Sequence, residues 1–162
     1  MSELMRPGAR RPLSSGEASL AAEVFGDSLS PGPVRILAAP RPWARAFVAG
    51  RWLGRDLVIF PVAEARQDFA SASTPLRAQG DLIHELTHVW QAQGGVNLLT
   101  AKLRAGDRAE SYAYHLSAAG AWEGLNIEQQ ARLVEHLFLS SRGVATPWPH
   151  ARLASTAPFG RG

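Results

Sequence analysis

Cysteine is absent from this 162-residue chain. Disulfides and thiolate metal ligands are thereby excluded, so any metal must be held by His, Asp, Glu, Tyr, backbone or water. Lysine is nearly absent too. Of 17 basic residues only Lys102 is a lysine, and the rest are arginines scattered along the chain. The formal net charge is +3. That is a modest excess with no basic cluster, so nucleic acid is not the expected partner. No apolar run reaches the roughly 18 residues of a membrane-spanning helix. The charged stretch from Met1 to Pro12 lacks the apolar segment of a signal peptide. On this evidence the expected location is cytoplasmic, with signal-independent export compatible with the same sequence.

What is present fits one globular domain, since 46% of residues are hydrophobic. Residues 1–16 are dense in Pro, Gly and Ser and read as a flexible arm. Residues 17–145 carry the regular elements. Residues 146–162, with three prolines, read as an irregular tail. A short helix is expected over 17–25. Strands are expected over 34–38, 44–49 and 56–60, forming a small antiparallel sheet with an edge near 56–60. Trp43, Phe47 and Trp52 read as packing residues there. A long helix follows from Pro75 to Gln93 and stops at Gly94-Gly95. Shorter helices are expected over 96–105, 108–119 and 127–139, the last capped by Asn126. Gly80 lies inside the long helix, where close packing against the sheet is its expected reason. The fold class is therefore α+β, with an N-terminal sheet and a C-terminal helical part.

The long helix carries His84-Glu85-Leu86-Thr87-His88. A helix turns about 100° per residue, so side chains four apart leave the same face. Each histidine can offer one ring nitrogen to a single Zn²⁺. Glu85 is rotated by one residue, which lets its carboxylate reach a water beside the metal without becoming a ligand. That arrangement suits hydrolysis, with Glu85 taking the proton of an attacking water and passing it to the leaving amine.

Two histidines need a third protein ligand. The sequence after His88 reads Val89-Trp90-Gln91-Ala92-Gln93-Gly94 and supplies no further histidine. The candidates are Glu110, His115, Glu128, Glu135 and His136. Glu128 is preferred, because it opens an amphipathic helix; Glu110 is the alternative. Among the remaining polar groups, Tyr112 and His115 are the candidate catalytic donors. Asp81, three positions before His84, is the expected partner for that ring's second nitrogen.

The stretch His84 to Gln91 resembles the active helix of the thermolysin-like zincins, whose third metal ligand is a glutamate. A broader similarity is to small bacterial zincin-like domains, some of them Vgr-related, after the spike proteins of type VI secretion. It spans much of residues 24–139: Val24-Phe25-Gly26-Asp27, Val34-Arg35-Ile36, Asp56 to Phe60, Gln79 to Gln93 and Asn126 to Ala131. The resemblance implies a compact zincin-like domain and a third ligand on a later helix, which suits Glu128 or Glu110. The chain departs from the zincin pattern at Asn126-Ile127-Glu128, which has an extra residue between Asn and Glu. The expected activity is that of a zinc metallopeptidase acting on peptides, peptidoglycan-derived peptides among them. The alternative is a metal-stabilised, catalytically weak adaptor whose partner is a secretion-system protein.

Overall fold

The computed structural model describes residues 3–116 and 121–159. Four strands form one sheet: β1 (Arg10–Pro12), β2 (Val34–Ala39), β3 (Phe47–Trp52) and β4 (Arg55–Pro61). Five helices accompany them: α1 (Ser15–Phe25), α2 (Leu76–Gln93), α3 (Leu98–Ala105), α4 (Ile127–Ser141) and α5 (His150–Thr156). The α+β class is as the sequence predicts. No helix among the described residues is long and apolar enough to cross a membrane.

The sheet differs from the antiparallel expectation. Its order is β1-β2-β4-β3, with β2 parallel to β4 and the two outer pairings antiparallel. β4 is therefore an interior strand, and the edge lies at β3 rather than near residues 56–60. The pattern of side chains explains this placement. Val34, Ile36 and Ala38 of β2, and Val58 and Phe60 of β4, are buried. β3 exposes Ala49, Arg51 and Trp52, half of its residues, as suits an edge strand. Trp43 and Trp52, expected to pack, are exposed.

Residues 3–16 are not a loose arm. β1 pairs with β2, Leu4 bridges Arg66, and Met5 is buried. The buried carboxylate of Glu17 anchors this region. It accepts from both Nη1 and Nη2 of Arg11 at 2.7 Å, from the Ser14 amide at 2.8 Å and from the Phe69 amide at 2.7 Å. Ser14 in turn caps α1, completing a capping box with Glu17. The tail is likewise ordered where described. α5 packs on α4 and buries Leu153, while Phe159 meets Phe25 and Trp90 with ring centroids 5.0 and 5.2 Å apart. Trp122 also joins this aromatic group.

α2 forms the centre of the molecule. Leu82, Ile83, Leu86 and Val89 are fully buried, between the sheet and α4. Gly80 does have a packing reason, but its neighbour is α4. A β-carbon there would lie 3.2 Å from Leu139 Cδ2. Gly80 beside Leu139 and Gln91 beside Ile127 make α2 and α4 antiparallel. The helix expected over 108–119 is reduced to a short turn at Ala109–Ser111, and residues 113–116 are not helical. Residues 117–119 of that expectation lie outside the described residues. Ser111 is held from both sides: its Oγ donates to Ala105 O at 2.7 Å, and its carbonyl accepts from Asn126 Nδ2 at 3.2 Å.

Candidate metal centre

The pairing of α2 with α4 brings the key side chains together. Asn126 caps α4 and forms a capping box with Gln129, which fixes the first turn that carries Glu128. Glu128 and Glu135 are seven residues apart, two turns, and so stand in one row. They face His84 and His88. Glu128 Oε2 lies 3.3 Å from His84 Nε2 and 3.2 Å from His88 Nε2. All three residues are buried, and one ligand atom from each falls within 4.8 Å of the others. Glu128 is thus the carboxylate that the geometry unites with the two histidines. Glu110, the alternative, is exposed on the Ala109–Ser111 turn and lies outside this cluster.

The outer ring nitrogens are also engaged. His84 Nδ1 lies 3.1 Å from Glu135 Oε2, and Arg132 Nη1 donates to both Glu135 oxygens at 2.9 Å. His88 Nδ1 lies 2.8 Å from Gln91 Oε1. The Gln91 amide then donates to Ile127 O at 3.2 Å and Gln130 Oε1 at 2.9 Å. Glu135, not Asp81, is the partner of His84's second nitrogen. Sequence reasoning considered Glu135 only as a ligand and passed over Gln91. The signals were the seven-residue spacing of the two glutamates and the glutamine one turn after His88.

The buried histidines and carboxylates shift one another's protonation. Burial disfavours charge on the His84 ring, but hydrogen bonds to Glu128 and Glu135 outweigh it and raise its pKa to about 9. Burial similarly disfavours the Glu128 anion. Hydrogen bonds from His84 and His88 reverse that effect and hold its carboxyl well below the usual carboxylate range. Lys102 Nζ adds positive charge 3.7 Å from Glu128 Oε1. Within this site Oε2 of Glu85, on the helix of the two histidines, is buried without a hydrogen-bond partner. A buried carboxylate oxygen left unpaired calls for a ligand or water. Two imidazoles and one carboxylate, all buried, make a donor set that could hold a metal ion, with the unpaired Glu85 oxygen beside it.

These groups open onto a cavity of about 580 Å³. Tyr112 lines it, half-buried, with its ring centroid 6.4 Å from that of His84. Burial first, and then the negative charge of Glu128, raise the Tyr112 pKa, which keeps the phenol protonated. Asp81 stands at the rim with an exposed outer side. Desolvation on its cavity side and the negative charge of Glu135 push its carboxyl up to about 6. His115 is not part of this cavity. Tyr114 and Leu116 turn inward along a non-helical segment, which leaves His115 exposed between them. His136 is also away from the ligand cluster, 2.7 Å from Tyr114 Oη through its Nδ1.

No protein-family model matches this sequence. The chain is 36% identical over 156 residues to the type VI secretion system spike protein VgrG2b of Pseudomonas aeruginosa. That match covers 90% of this chain but 14% of the relative. The solved effector domain of Pseudomonas aeruginosa VgrG2b aligns with a TM-score of 0.68 and 34% identity, covering 91% of this chain and 81% of that one. The chain belongs to the VgrG2b effector-domain family. The matches cover about nine-tenths of the chain, so the kinship reaches far beyond the five-residue histidine motif. The Vgr-related part of the expectation is therefore met, and the chain corresponds to a domain of its much longer spike-protein relative.

Proposed function

We propose that this VgrG2b-type domain works in the setting of a type VI secretion system as a zinc-dependent peptidase, hydrolysing peptide or related amide bonds. The observation that carries the reading is the convergence of His84, His88 and Glu128 beside an unpartnered Glu85 oxygen. Kinship with an effector domain supports a role in which the domain is exported with secretion-system proteins as partners.

His84, His88 and Glu128 hold the zinc in this reading. When bound, the ion supplies Lewis acidity for the substrate carbonyl and makes water more acidic. Glu85 accepts the proton of the attacking water at its free carboxylate oxygen and delivers it to the leaving nitrogen. Tyr112 donates a hydrogen bond to the carbonyl oxygen as negative charge grows there. Glu135 and Gln91 keep the two imidazoles oriented through their outer nitrogens. The free edge of β3 offers backbone groups to an extended peptide.

The second reading is a metal-stabilised accessory domain with little turnover, favoured by the longer relative being a secretion-system spike protein. Incubating a broad peptide mixture, including peptidoglycan-derived peptides, with zinc-loaded and chelated protein separates the two. New termini detected by mass spectrometry only with the zinc-loaded protein are the expected result. A stoichiometrically zinc-loaded protein that cleaves nothing in the mixture favours the accessory reading.

A further inference from the structure

A second cavity, of about 620 Å³, adjoins the first. Trp43 and Phe47 line it on the approach to β3, and Leu99 and Leu103 line it on α3. The two aromatic rings are tilted against each other with centroids 5.4 Å apart. α3 fixes the leucines. Leu98 is buried, whereas Leu99 and Leu103, one turn apart, are 74% and 78% exposed. Trp43 is 56% exposed. Single exposed apolar residues are ordinary, but a leucine pair facing an aromatic pair across a groove forms a patch suited to an apolar ligand. Its size falls within the range of roughly 300–1,000 Å³ typical of ligand pockets.

What enters the groove is decided by where the groove leads. Lys102, Tyr112 and Glu128 line both cavities. So do Arg45 and Asp107, which form an exposed ion pair at 2.6 Å. The apolar groove and the metal cavity are therefore two ends of one cleft. A chain laid along this cleft runs from the walls that His84, His88 and Glu128 line to those of Leu99 and Leu103. We propose that the Trp43–Phe47–Leu99–Leu103 groove is the specificity pocket of this cleft, selecting peptides with a bulky apolar side chain beside the bond at the metal centre. The assignment rests on the peptidase reading for its meaning as substrate selection, but binding tests it independently.

The probes are a dye-labelled alanine pentapeptide and a set in which one alanine at a time is replaced by phenylalanine. Their affinities for the full, zinc-loaded chain carrying Glu85→Gln are measured by fluorescence anisotropy. Burial of one such side chain corresponds to roughly 10- to 100-fold in affinity. At least one phenylalanine peptide is therefore expected to bind about 10-fold or more tighter than the alanine peptide. Leu99→Arg and Leu103→Arg, both at exposed positions, are each expected to remove that advantage. Trp52→Arg is expected to keep it, because Trp52 is 68% exposed and does not line the groove. Equal binding of all the peptides overturns the proposal, as does a preference that survives both leucine substitutions. Hydrolysis by the unsubstituted chain separates this claim from the underlying one. Selective binding without cleavage defeats the peptidase reading and leaves the pocket standing. Cleavage with no apolar preference defeats the pocket alone.

Discussion

At His84 two carboxylates divide the ring between them, Glu128 at Nε2 and Glu135 at Nδ1. The second contact fixes the ring's orientation and strengthens its inner nitrogen as a donor to metal. Partners of this kind are worth about 10- to 100-fold in metal affinity. Glu135→Gln is expected to weaken zinc binding by about that factor, read by competition with a chromophoric chelator. Unchanged affinity contradicts the assignment. His136 offers a test away from the ligands. Burial lowers its pKa below the ordinary histidine value of 6.5, and the negative charge of Glu135 only partly opposes this. Tyr114, whose own pKa is raised by burial, remains protonated and donates to His136 Nδ1. Below pH 6.5 the unfolded chain then takes up more protons at this site than the folded one, so the contribution of His136 to stability is present above that pH and lost as pH falls. Urea unfolding at pH 7.5 and 5.5 is expected to show a smaller acid loss in His136→Gln than in the unsubstituted chain. An equal loss in both would place the acid sensitivity elsewhere.

Among the elements, α2 and α4 were the most legible in the sequence. Their apolar periodicity, the Asn126 cap and the glycines after Gln93 are local signals, and each reports on the turn where it occurs. β1 was hidden by Pro12 and by Pro7 and Gly8 before it, because its order comes from distant partners. Glu17 gathers Arg11, Ser14 and Phe69 around one buried carboxylate. Glu17→Ala leaves the Arg11 guanidinium and two backbone amides without that partner. A loss of about 3–5 kcal/mol is expected, measured from urea midpoints. A loss below about 1 kcal/mol, the level of an exposed ion pair, contradicts this view of β1 and α1 as jointly anchored. The failed helix over 108–119 has a similar cause. Ser111 is held by Ala105 and Asn126, so tertiary hydrogen bonds override a locally acceptable helical pattern.

For the molecule as a whole, the His84–His88–Glu128 cluster was more legible than the cleft around it. His84, Glu85 and His88 follow from spacing on one helix, and Glu128 from its position on an amphipathic helix. The roles of Glu135, Gln91 and Lys102 depend on how α2, α3 and α4 meet. The parallel β2–β4 pairing, which leaves β3 as the edge beside the cleft, depends on non-local packing in the same way. In the proposed function these parts form one hydrolytic site with Glu85 as its base. Turnover of a cleaved peptide by the unsubstituted chain and by Glu85→Gln, at matched zinc occupancy, tests that claim most directly. A fall of about 10²- to 10⁴-fold is expected, with the fold and zinc content unchanged. Equal turnover by the two proteins would contradict it.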